Sequence, residues 1–194
     1  EMLSGDWSSD VCSSDLHSRT VNGTHLNRRS LHMTLARQFL AAVAGSLLIA
    51  TTALAQVPQY GANVNHEQAM KAVAGALAEA RKIGVPMAVA VVDTAGQLVA
   101  FERMDNTQTA SVAIAQDKAV SAAMYRRPTK VFQDAVAGGG VGLRVLTLRS
   151  ANAVEGGVPM TVDGKIVGAI GVSGGAPDQD SACAAAGLAT LAGK

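Results

Sequence analysis

The stretch VDGKIVGAIGVSGGAPDQD, from Val162 to Asp180, constrains the fold more than any other part of the chain. Asp163-Gly164 between two apolar runs is a type I′ hairpin signal, because both central residues of that turn need positive φ. The run that follows is small or apolar on both sides. Ile166, Gly168, Ile170 and Val172 share one face, and Val167, Ala169 and Gly171 share the other. Such a strand belongs in the middle of a sheet that is covered on both faces. Ser173-Gly174-Gly175 makes a tight exit, and Asp178 is placed to cap a last helix reaching Leu191.

The residues upstream supply the cover. Gln56 to Val64 reads as a short exposed arm. Asn65, with Gln68 three residues on, predicts a capping box opening a helix from His66 to Ile83, stopped by Gly84 and Pro86. Its apolar stripe is Met70, Val73, Leu77 and Ala80, with His66 at the N-terminal end. Met87 to Val92 and Gln97 to Arg103 read as a hairpin about Asp93 to Gly96. Thr107 to Arg126 is an alanine-rich helix whose stripe Ala115, Ala119 and Ala122 suits close packing. Pro128 ends it or begins a third helix, Thr129 to Val136. Val141 to Leu148 fits a strand or a short helix equally. The order of elements predicts an α/β sandwich, a mainly antiparallel sheet between helical layers, in one domain over residues 65–194.

Residues 1–55 stand apart. Gly5 to Leu16 repeats SSD without hydrophobic period and is similar to translated sequencing-adapter sequence, so residues 1–32 read as a non-native leader. Met33 to Ala55 reads as a signal peptide: Arg37, an apolar run to Leu54, and Ala53-Leu54-Ala55 as the cleavage site. The run is short of the ~20 residues that span a bilayer. The expected mature chain begins at Gln56 and is periplasmic or secreted, with no membrane segment after cleavage.

From Gln56 onward, twelve Lys and Arg face eleven Asp and Glu, and the aromatics are Tyr60, Phe101, Tyr125 and Phe132. Neither charge nor stacking favours nucleic acid. Cys183 and His66 are the one cysteine and the one histidine of this part. An internal disulfide and a Cys/His zinc site are thereby excluded. No G-x-S-x-G surrounds a serine and no acid pair has catalytic spacing.

What remains are binding candidates. His66 is the one strong nitrogen donor for a metal; near a helix start its imidazole is favoured neutral, and the plainer alternative is a surface histidine. Arg126 and Arg127 can pair with carboxylates, or simply be solvated around a Pro128 corner that Thr129 caps. The N–H groups of Ser173, Gly174 and Gly175 can hold an anion at a helix start, or merely turn the chain. Gly138 to Gly140 and Gly156-Gly157 admit a flat ligand or make loops. Cys183 reads as a buried inert thiol.

VVDTAGQLVAFERMD (Val91 to Asp105), RRPT (Arg126 to Thr129) and the Val162 to Asp180 block occur in an order and spacing that resemble the GlcG/HbpS-like family, which includes exported haem-binding proteins and the C-terminal domain of PduO-type proteins. The resemblance covers roughly Asn65 to Leu191. It implies a profilin-like three-layer α/β/α domain, haem or a similar flat tetrapyrrole as ligand, and a homo-oligomer. In PduO-type members a first-helix histidine is the axial haem ligand, which points to His66; other members use a different ligand, including a threonine, which points to Thr129. Arg127 belongs to the shared RPT triplet and would meet haem propionates. The function implied is haem storage, scavenging or redox sensing. The alternatives are a haem-degrading enzyme, or an oligomeric accessory module that binds another small ligand such as a corrinoid. Iron-binding surface clusters of other members need histidines that this chain lacks.

Overall fold

The computed structural model describes residues 57–191; the leader and signal peptide expected over residues 1–55 lie outside the described residues. Helix α1 (His66–Ile83) leads to strands β1 (Ala88–Asp93) and β2 (Leu98–Arg103). Helices α2 (Ser111–Tyr125) and α3 (Lys130–Ala137) follow, then a 3-10 segment (Gly140–Thr147). Strands β3 (Gly157–Val162) and β4 (Lys165–Ser173) precede helix α4 (Pro177–Ala189). The ambiguous Val141 to Leu148 run is thus the 3-10 segment. None of the described helices is long and apolar enough to cross a membrane.

Helix α1 begins where the capping box puts it. The Gln68 N–H donates to Asn65 Oδ1 at 2.8 Å, and the Asn65 N–H donates to Gln68 Oε1 at 3.1 Å. Gly84 closes it at φ 70°, the left-handed conformation for which glycine is suited. The buried face is Ala69, Ala72, Val73, Ala76, Leu77 and Ala80. Met70, expected on that stripe, is exposed, because the narrow alanine face lets α4 press close along a neighbouring line. Gly187 of α4 lies against α1 where any Cβ would collide with Ala72 O.

The sheet is four-stranded in the order β2-β1-β4-β3, and every pair is antiparallel. Asp163 (φ 50°) and Gly164 (φ 74°) form the tight turn between β3 and β4. At the other hairpin, Asp93 Oδ1 accepts from the Ala95 N–H (2.8 Å) and the Gln97 N–H (2.9 Å). β4 is central and buried, as its composition predicts. Its alternation, however, is broken. Met160 pairs with Gly168 and Thr161 with Ile166, so Val167 is an extra residue, a β-bulge. A second bulge falls at Val99, between Val91–Ala100 and Val92–Leu98. Val167 consequently joins Ile170 and Val172 on one core face, and Ile166 does not.

Helices cover both sides. Val89, Val91, Ile170 and Val172 pack with α1 and α4; Ala88, Ala90, Val92 and Ala169 pack with Ala115, Ala119 and Ala122 of α2. Gly171 lets α2 lie on β4, since a Cβ there would strike Ala115 O and Ala119 N. The arm is largely exposed, as expected, and is tied to the sheet. Beyond the last β1–β4 pair, Asp93–Gly168, it takes the place of β1 beside β4: the Ile166 N–H donates to Gln59 O (2.8 Å), the Gly61 N–H to Ile166 O (2.8 Å), and the Val64 N–H to Val167 O (2.7 Å).

Candidate ligand site

The Arg126–Thr129 corner organises one end of the molecule. α2 closes on Arg126, held at φ 54° without a glycine. Tyr60 of the arm reaches this end: its hydroxyl lies 2.9 Å from Ala123 O and 3.1 Å from Met124 O, donating to carbonyls that the helix end leaves open. The Arg126 guanidinium stacks on the Tyr60 ring at 5.3 Å. Thr129 does not cap α3 through its side chain. It is fully buried; its N–H donates to Gly157 O and its Oγ1 accepts from the Gly157 N–H, both at 2.9 Å. Gly157 permits this, because a Cβ would collide with Lys118 O. Thr129 therefore fastens the corner to β3, and its hydroxyl is engaged inside the protein.

The Ser173-Gly174-Gly175 loop does hold an anion, but the anion is the protein's own. Ser173 is buried with its Oγ 3.2 Å from Ser111 Oγ. The Gly175 N–H donates to Asp180 Oδ1 at 2.9 Å, and the other carboxylate oxygen accepts from Lys118 Nζ at 2.6 Å. Asp178, the expected cap, is exposed; α4 starts at Pro177, and the Ala176 N–H is met by Gln179 Oε1 at 2.9 Å. Lys118 also donates to Val172 O at 3.0 Å and is 1% exposed. Burial raises the Asp180 carboxyl above the usual carboxylate range, opposed by its bonds to Lys118 and to the Gly175 and Gly174 N–H groups. This pair joins the two helical layers past the end of β4. The sequence reading missed it, although Lys118 falls three residues after Ala115 and four before Ala122, on the buried stripe.

Arg127 lies elsewhere, on a cleft of about 410 Å³ between the end of α2, α3 and the 3-10 segment. Val131, Phe132, Val141, Val145 and Leu148 make its apolar walls; Tyr125, Arg127 and Arg144 supply its polar groups. Gly142 brings the segment onto α3, where a Cβ would collide with Ala135 O. Phe132 is buried, edge-on to Tyr125 at 5.1 Å, with the Arg127 guanidinium over its face at 5.8 Å. The Tyr125 hydroxyl donates to Arg149 O at 2.7 Å. Nothing in the sequence singles out Arg144, because its place in the cleft with Arg127 depends on how the 3-10 segment folds back.

The structure does not bring the expected residues into one site. His66 is exposed at the start of α1, on the face of the sheet opposite α2, and does not line the cleft. Among the described residues no group of three or more His, Cys, Asp or Glu could hold a metal ion. For haem, the cleft fits in part. Its apolar walls suit a flat macrocycle and its arginines suit propionates, but no His, Cys or Met lines it to meet the iron.

A family model described as haem degrading protein HbpS-like matches residues 64–189. Protein GlcG of Escherichia coli is 38% identical over 110 residues, 57% of this chain and 81% of that protein. Among solved structures, Klebsiella pneumoniae protein ORFY aligns with TM-score 0.64 and 28% identity over 70% of this chain and 95% of its own. HbpS aligns with TM-score 0.63 and 30% identity over 69% and 93%. The PduOC:heme complex aligns with TM-score 0.60 and 26% identity over 66% and 94%.

Proposed function

Because the chain belongs to the HbpS-like family, we propose that it is an exported haem-binding protein serving haem storage, scavenging or redox sensing. The observation that carries this reading is the cleft: apolar walls, two arginines and no acid among its lining residues, as a flat macrocycle bearing carboxylates requires. The haem complex of the structurally similar PduOC supports it. His66 is the imidazole we assign to the iron. It stands on the other layer from the cleft, so a haem seated in the cleft would have to be met by His66 of a second copy. A homo-oligomer is therefore part of the proposal, and Val141 and Leu146, 77% and 67% exposed beside the cleft, suit such a contact. Haem bound in this way would supply the iron-centred redox chemistry; the chain supplies the walls, the guanidinium groups and the imidazole.

Titrating the chain from Gln56 with haemin tests the reading: a saturable Soret shift is expected, and its absence overturns it. His66→Ala should move the Soret band, and an unmoved band removes His66 as ligand. The description of the matching family favours a second reading, haem degradation. With a reductant present, loss of the Soret band together with open-chain products and free iron supports degradation, and a persistent band supports storage. A corrinoid ligand would show as competition between cobalamin and haemin.

A further inference from the structure

Resting on the haem reading, we propose that the cleft recognises the carboxylate-bearing edge of a tetrapyrrole and not its metal, so that metal-free porphyrins with free carboxylates are ligands in their own right. Three observations converge on this. First, every ion pair among the described residues within 4.0 Å is made by a lysine. Arg127 and Arg144 thus reach the cleft with no carboxylate on either guanidinium. Second, Arg127 is oriented. Its Nε donates to Tyr125 O at 3.1 Å while its plane rests over Phe132. The remaining N–H groups are left for an incoming anion, in the planar geometry that matches a carboxylate. Third, the walls offer iron nothing. They are aliphatic side chains and the Phe132 ring, and the hydroxyl of Tyr125 is committed to Arg149 O.

Binding by the cleft itself then draws on two terms that ignore the metal, burial of the macrocycle's apolar faces and charge-assisted hydrogen bonds to its carboxylates, and a bond from iron to His66 of a second copy would add to them. Removing iron changes neither. Esterifying the carboxylates removes the second and leaves the first.

The test titrates the chain from Gln56 with haemin, with protoporphyrin IX and with protoporphyrin IX dimethyl ester. Protoporphyrin should bind within about tenfold of haemin, and the diester at least about tenfold more weakly. Arg127→Gln and Arg144→Gln should each weaken the free acid about tenfold and leave the diester unchanged, which also shows that the variants fold. Arg103→Gln, on exposed β2 outside the cleft, should leave all three unchanged. If haemin binds and protoporphyrin does not, recognition runs through the metal: this proposal falls and the haem reading stands. Equal affinity for acid and diester also overturns it. If neither haemin nor protoporphyrin binds, the haem reading itself fails and takes this proposal with it.

Discussion

Lys118 is the largest of the fully buried side chains among the described residues. Fully buried, it holds Asp180 at 2.6 Å and Val172 O at 3.0 Å, so it satisfies a carboxylate from one helical layer and a strand end from the sheet. Lys118→Ala leaves Asp180 buried without its cation and should cost about 3–5 kcal/mol, read as a lower urea midpoint. Adding Asp180→Asn to it should recover part of the loss, because the uncompensated charge is gone. Cys183 makes a contrasting case. Burial pushes its thiol up to about 11, so the native protein should resist iodoacetamide at pH 8 and react once unfolded. A folded value above the unfolded one near 9.0 means the thiol's contribution to stability is full below that pH and is lost as pH rises through about 11; chemical denaturation at pH 8 and above 10 measures it. At this scale local chemistry was legible and long-range pairing was not. The Asn65–Gln68 box and the Asp163-Gly164 turn are set by residues a few positions apart. The sequence points to Asp178 and not to Asp180, because only the folded chain places Lys118 beside Asp180.

Elements were legible in kind and less so in detail. The hairpins and α1 fall where turn residues, cap and glycine put them, whereas α2, expected from Thr107, begins at Ser111, where no side chain caps it. The bulges at Val99 and Val167 were not legible: each falls among neighbouring apolar residues, where nothing local distinguishes the extra one. The 3-10 segment escaped assignment because its sequence suits a strand and a short helix equally, and its shape is settled by contact with α3. Packing between elements depends on small residues. Gly171→Val would drive its side chain into the backbone of α2 at Ala115 and should cost at least about 1–3 kcal/mol, seen as a lower melting temperature with the far-ultraviolet spectrum retained. Asn65→Ala, which removes one half of the capping box, should cost about 1 kcal/mol in the same measurement.

For the whole molecule, the layered α/β architecture was legible because β4 can only be a covered central strand. The division of the expected site was not: whether His66 and Arg127 meet depends on which face of the sheet α1 and α2 each occupy, and both helices are small and apolar enough for either. The central position of β4 also has a consequence in time. Its partners on one side, the arm and β1, are the first parts of the domain to be made, while β4 and β3 are among the last. Closure of the sheet therefore joins residues that are far apart along the chain, a connectivity that folds slowly. A chain ending at Asn152 should show no cooperative melting transition, since β1 and β2 alone leave both helical layers without a platform. During synthesis the domain has no complete sheet to fold around until Ser173 has emerged, and until then it should stay open and threadable through a narrow pore.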